Sequence, residues 1–292
     1  MNRLTKILYS LVLGACGALV AWAVLDLGLT AAGITTDNVY IQAVLNGGLV
    51  GLCVGALIAA LEKFNNTSRV GPTALGCFVG LLTGLVGGTI GLLLAELLFK
   101  NIRLPGDWQQ GLRLIGWAMF GLGVGIGPGI ATWSLLKMLA SSAGGCLGGI
   151  AGGIGLILIS SLLRLPLSSR AIGFVLLGLF VGLLIALAQE VVKQAELKIV
   201  SSGPNEGRRF NIDKKRVTVG SASGNDWVIS GDPNLFPKHV EIRQERGKFV
   251  VHSMAAQSPA LVNRQPIQEQ VLNDGDRVRI GATEIAFKVR KS

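Results

Sequence analysis

Two histidines, four cysteines and a thin scatter of acids are all that this 292-residue chain offers to catalytic or metal chemistry. His239 and His252 have no acid and nucleophile at motif spacing, and neither HExxH nor GxSxG occurs. Hydrolytic and metal-assisted reactions therefore have no group to run on, and both histidines read as structural. Cys16, Cys53, Cys77 and Cys146 sit in separate apolar runs without a CxxC pair. They read as small buried hydrophobes rather than metal ligands or disulfide partners. The turn Ser202–Gly207 lacks the GK[ST] ending of a phosphate-binding loop and opens a strand rather than a helix. No enzyme activity, metal or cofactor is expected, and the remaining class of function is binding.

The elements that would position a binding site change character near residue 190. Before it the chain is apolar and Gly-rich. After a linker at 191–196, residues 197–292 alternate apolar and polar positions with turn residues every eight to ten places, as a β-sandwich requires. Strands are expected at Leu197–Ser201, Arg208–Ile212, Arg216–Val219, Trp227–Ile229, His239–Arg243, Lys248–His252, Ala260–Asn263, Arg277–Ile280 and Glu284–Val289. Asn273-Asp274-Gly275-Asp276 reads as a tight turn between two of them.

Val219-Gly220, Asn225-Asp226, His239, Asn263 and the closing run Leu272–Gly281 together resemble a forkhead-associated (FHA) domain, a sandwich best known for docking phosphothreonine peptides. The resemblance covers about a third of the chain. It implies three recognition loops at one end, carrying Gly-Arg, Ser-x-x-His and Asn-Gly-Thr. Gly220 matches the first, but Ser221 stands at the arginine. His239 matches the second and would tie loops together, but Phe236 stands at the serine, with Lys238 between them. Ser258 and Pro259 stand where Asn-Gly is expected, before Asn263. The matches are scaffold positions and the departures are phosphate contacts. Losing the arginine alone removes a charge-assisted hydrogen bond of about 1.5–3 kcal/mol. The resemblance thus implies a protein or phosphoprotein partner at the loops, while these residues argue against ordinary phosphothreonine reading.

Residues 1–190 read as a polytopic α-helical membrane domain. The chain is 50% apolar with a mean hydropathy of +0.55, which a soluble domain with 15% charged residues would not reach. Six runs, near 7–25, 41–61, 74–99, 112–133, 138–163 and 171–190, are long enough to cross about 30 Å of hydrocarbon. Breakers punctuate them at Thr35–Asn38, Asn65–Ser68, Leu104–Asp107 and Leu165–Ser169. Ala21-Trp22-Ala23 resembles a signal-peptide cleavage site, but the first run is longer than a signal core and reads as a span. Arg3 and Lys6 precede it while only Asp26 and Asp37 follow, which puts the N-terminus, and after six spans the C-terminus, in the cytoplasm. Lys100, Arg103, Arg113, Arg164 and Arg170 run against that rule.

Glycines recur every fourth residue, at Gly47/Gly51/Gly55, Gly76/Gly80/Gly84/Gly88, Gly121/Gly125/Gly129, Gly144/Gly148/Gly152 and Gly178/Gly182. That spacing keeps each row on one helix face and predicts close helix packing. A transporter or channel is the alternative, but it needs polar groups at mid-membrane depth. The only candidate acid within the spans is Glu96, for which an i,i+4 ion pair with Lys100 accounts, and Asn46 near the start of the second span has the same status.

The +10 net charge divides evenly between residues 1–189 and 190–292, and no basic run with interleaved aromatics occurs, so nucleic acid is not an expected partner. The resulting expectation is a bacterial inner-membrane signalling adaptor or scaffold. It would display a degenerate FHA-like domain to the cytoplasm, alone, self-associated or within a larger membrane complex. The inner-membrane component of type III secretion is similar in its soluble part but has a single span.

Overall fold

The computed structural model describes residues 3–289 apart from 30, 34–35, 68–69, 103–104, 106–107, 163–165 and 213. The breaks read at Thr35, Ser68, Leu104, Gly106, Asp107 and Leu165, and the charges of Arg103 and Arg164, lie outside the described residues. The chain divides into two compact units, residues 2–191 and residues 192–292.

The first unit is helical. It comprises α1 (Arg3–Trp22), continued by a π-helical segment (Ala23–Leu29), then α2 (Val39–Thr67), α3 (Val70–Asn101), α4 (Trp108–Thr132), α5 (Leu135–Leu162) and α6 (Pro166–Val191). Each of the six contains a stretch long and apolar enough to cross a membrane. Asn38 caps α2, its side-chain oxygen accepting the Tyr40 and Ile41 amides at 3.0 and 3.4 Å. Between α4 and α5 the chain turns on Trp133 and Ser134 alone, with Trp133 at φ 54°. Consecutive helices pack side by side and α1 closes against α6. A Cβ at Gly84 would overlap the Gly51 carbonyl, and one at Gly121 the Gly145 carbonyl, so backbones meet directly at these crossings.

Charge enters this bundle in a way the apolar runs concealed. Glu62 near the end of α2 receives Lys6 of α1 and Lys137 of α5, each at 2.7 Å. Lys6 also donates to Gln189 of α6 at 2.8 Å, and Gln189 donates to Ser141 of α5 at 2.8 Å. All five residues are buried. Although Glu62 and Lys137 each stand at the end of an apolar helical run, they are interior groups binding four helices at one end. The ion pair expected between Glu96 and Lys100 does not form: Lys100 lies 4.5 Å over the Tyr40 ring.

The second unit is a sandwich, with eleven strands among the described residues. They are β1 (Ala195–Ile199), β2 (Arg209–Ile212), β3 (Arg216–Gly220), β4 (Trp227–Val228), β5 (Val240–Glu245), β6 (Lys248–Ser253), β7 (Leu261–Val262), β8 (Gln265–Pro266), β9 (Glu269–Leu272), β10 (Arg277–Ile280) and β11 (Thr283–Val289). One sheet runs β2-β1-β11-β10-β7-β8 and the other β4-β3-β5-β6-β9. The short β8 and β9 were not legible because Pro266 and a polar run mask their alternation. Inward residues such as Leu197, Val219, Ile242, Val251 and Ile285 meet in one core, where Trp227 stacks on Phe210 at 5.4 Å.

Candidate functional site

Three loops gather at the end of the sandwich where β3 stops and β5 starts, and His239 joins them. Its ring is fully buried. Its amide donates to the Val219 carbonyl, its carbonyl accepts the Met254 amide at 2.8 Å, and Nδ1 accepts the Phe236 amide at 3.3 Å. Burial holds this imidazole below its usual pKa, against the opposing influence of the Asp232 carboxylate and the Ser258 backbone. Neutral His239 can therefore keep Nδ1 as an acceptor, which the Phe236 amide requires.

Gly220 lets the first two loops touch. A Cβ there would overlap the Pro237 carbonyl. That carbonyl accepts the Ala222 amide at 3.1 Å and the Asn225 side-chain amide at 2.5 Å. Ser221 is committed inward: its hydroxyl donates to the Leu235 carbonyl and its amide to the Phe236 carbonyl, both at 3.0 Å. Phe236 is half-buried and packs edge-on against His239, with ring centroids 5.8 Å apart. Ser258, in the third loop, donates its amide to Ala255 at 3.2 Å. The end is thus closed by its own hydrogen bonds where the resemblance implies phosphate donors.

Asn263 does not join this end. It lies in the two-residue turn after β7 with φ 50°, donating from its side chain to Asp276 at 2.9 Å and accepting the Arg277 amide at 3.0 Å. It braces the opposite end of the sandwich, beside the Asn273–Asp276 turn.

Lys238 points away from the loops and meets Glu241 on the outer face of the β3–β5 sheet. The Glu241 carboxylate is fully buried, yet it collects Lys238 at 3.0 Å and Arg216 and Arg243 at 2.5 Å each. Burial works to raise its pKa, but the three cations outweigh burial and pull it down to about 2. Sequence reasoning missed this cluster; the signal was an acid at an outward strand position flanked by Lys238 and Arg243. It also missed Asp232, which accepts the Ala282 amide at 2.9 Å and the Thr283 hydroxyl at 2.7 Å, tying the second loop to the β10–β11 turn.

The bundle glycines are placed as follows. Gly76 faces the Lys63 side chain, Gly80 faces Gly55 and Ala59, Gly84 faces Gly51 and Gly88 faces Gly47. Gly121 faces Gly145, Gly125 the Ser141 backbone, Gly144 the Leu184 carbonyl and Gly148 the Val181 backbone.

A family described as "Inner membrane component of T3SS, cytoplasmic domain" matches residues 199–291. The oxoglutarate dehydrogenase inhibitor of Corynebacterium glutamicum is 31% identical over 100 residues, which cover 34% of this chain and 69% of that protein. The glycogen accumulation regulator GarA of Mycolicibacterium smegmatis is 34% identical over 91 residues, covering 31% of this chain and 57% of GarA. The cytoplasmic domain of the T3SS sorting platform protein PscD from P. aeruginosa is 17% identical, with 34% of this chain and 82% of that chain covered at a TM-score of 0.31. The chain spans 64% and 57% of the first two curated relatives it matches. By this likeness the chain belongs to the forkhead-associated domain proteins, and its C-terminal third is the FHA domain.

Proposed function

We propose that this protein is an integral inner-membrane scaffold of six spans that holds its FHA domain in the cytoplasm to recruit or organise a protein partner. FHA domains are interaction modules rather than enzymes, and the relatives' names describe inhibitors and regulators, which supports action by binding. The six apolar helices support the membrane anchor. Glycine-mediated contacts, Gly84 on Gly51 and Gly121 on Gly145 among them, would hold the bundle together.

The partner would meet the loops Ser221–Gly224, Leu235–Lys238 and Gln257–Ala260, with Phe236 filling the space of the phosphate site. One observation carries this reading: Ser221 spends its hydroxyl on Leu235, leaving no donor at the position where the family pattern has arginine. Binding should therefore be indifferent to threonine phosphorylation. Calorimetric titration of the full chain in uncharged detergent with matched peptide pairs tests it. Equal affinity is expected, and a preference of about tenfold for the phosphorylated form, ~1.4 kcal/mol, would overturn the reading.

A further inference from the structure

The helical unit holds a cavity of about 540 Å³ at the end where α2 and α4 begin. Among the described residues, three charged side chains line it, Glu96, Arg113 and Arg170, and their commitments differ. Arg170 is paired with Asp26 at 2.7 Å. Arg113 lies 4.3 Å over the Phe99 ring, a contact that uses the guanidinium face and leaves its in-plane donors available. Glu96 is half-buried and has neither an ion pair nor a hydrogen bond among the described residues.

Helix register brings the last two side by side. Gly116 packs on Ala95 and Arg113 on Phe99, so these antiparallel helices place Glu96 and Arg113 roughly one turn, ~5 Å, apart along the axis. No ion pair joins them among the described residues. The half-buried Glu96 carboxylate and the solvent-exposed Arg113 guanidinium thus share a recess without pairing, and each is left able to take a ligand group of opposite charge. Below them the wall is apolar, with Leu92, Trp117 and Phe174. The contact of Gly47 with Gly88 sets Asn46 about seven residues, ~10 Å, deeper than Glu96. A recess of this volume and depth is too large for a bare ion and fits a small organic molecule.

We propose that this cavity binds a zwitterionic amphiphile. Its ammonium pairs with Glu96, its phosphate or carboxylate with Arg113, and its apolar part lies on Trp117 and Leu92. A zwitterionic phospholipid and a free apolar amino acid share this chemistry. The site is separate from the FHA loops and stands whether or not the partner-recruiting reading holds.

The test uses the full chain in uncharged detergent, followed by tryptophan fluorescence, with lysophosphatidylethanolamine, lysophosphatidylglycerol and L-leucine as probes. A saturable change that disappears in Trp117→Phe is expected for one of the two zwitterions. It should exceed the response to the anionic lysophosphatidylglycerol by about tenfold in affinity. Glu96→Gln should abolish that preference while leaving anion binding, and Arg113→Gln should weaken both. Saturation by leucine alone assigns the free zwitterion, and by lysophosphatidylethanolamine the lipid. Equal affinity for the anionic probe, indifference to Glu96→Gln in a variant with unchanged melting temperature, or no saturable response to any probe would overturn the proposal.

Discussion

The Glu62 carboxylate and the Lys137 ammonium lie 2.7 Å apart, both buried, although 75 residues separate them in the chain. With Lys6 on the other carboxylate oxygen, this pairing pins α1, α2 and α5 at one level. Removing one partner of a buried ion pair typically costs about 3–5 kcal/mol, because the other charge is left uncompensated, whereas replacing the whole group with apolar side chains is often neutral. Glu62→Gln should therefore lower the melting temperature of the purified protein sharply. The triple change Lys6→Met, Glu62→Met and Lys137→Met should be far milder. A single variant as stable as the parent would show that the cluster is not holding the helices.

Gly80 meets the Gly55 carbonyl and the Ala59 side chain, whereas Leu82 points outward and is 43% exposed. Gly80→Leu should block assembly of the bundle, because the colliding atoms include backbone that cannot rotate away. Leu82→Phe should change yield and melting temperature little. Detergent extraction followed by size exclusion distinguishes the two, and equal tolerance would place the glycine face against something compressible.

Arg3 and Lys6 before the first apolar helix argue for a cytoplasmic N-terminus, and six spans would return the C-terminus to the same side. Lys6 is drawn into the buried cluster, so Arg3 is left as the nearer signal for orientation. A reporter fused after Ser292 should be active only in the cytoplasm. Activity on the other side would remove both the topology and the cytoplasmic partner.

Acid should act on the FHA domain through Glu241. Its folded pKa of about 2 lies below the ordinary carboxylate value near 4.5, so its contribution is complete above that value. The contribution is then lost as the pH falls from about 4.5 towards 2. His239 acts in the same sense at higher pH. Its folded pKa is depressed, so the unfolded chain takes up the proton first and stability starts to decline below about 6.5. Glu241→Gln should flatten the acid limb of a pH–stability curve recorded by circular dichroism, and an unchanged limb would count against the cluster.

The sandwich and the bundle were legible because their periods, two and four, are properties of single elements. The Val219-Gly220 and His239 scaffold was legible because loop geometry fixes those residue types: Gly220 must admit the Pro237 carbonyl, and buried His239 must accept an amide. Glu62 with Lys137 was not legible, since each looks like an ordinary helix-end charge until α2 and α5 are side by side. Asn263 misled for a related reason. A residue three places beyond a recognition loop can sit at the other end of a strand as short as Leu261–Val262.

The closed loop end makes one further demand. If Ser221 and Phe236 are what prevents phosphothreonine reading, restoring the family's residue types should create it. Phe236→Ser opens the space now held by a half-buried ring and supplies a hydroxyl three places before His239. Ser221→Arg gives up one hydroxyl bond to the Leu235 carbonyl but introduces a guanidinium where the pattern has one. A hydrogen bond to a charged group adds about 1.5–3 kcal/mol, or roughly one to two decades of affinity. The double variant should therefore bind a phosphothreonine peptide at least about tenfold more tightly than its unphosphorylated twin, with His239 still seated. The single change Ser221→Arg should gain less, because Phe236 still occupies the site. Calorimetry on the four proteins reads this directly, and a double variant that remains indifferent to phosphorylation would place the obstacle elsewhere, in the Gln257–Ala260 loop.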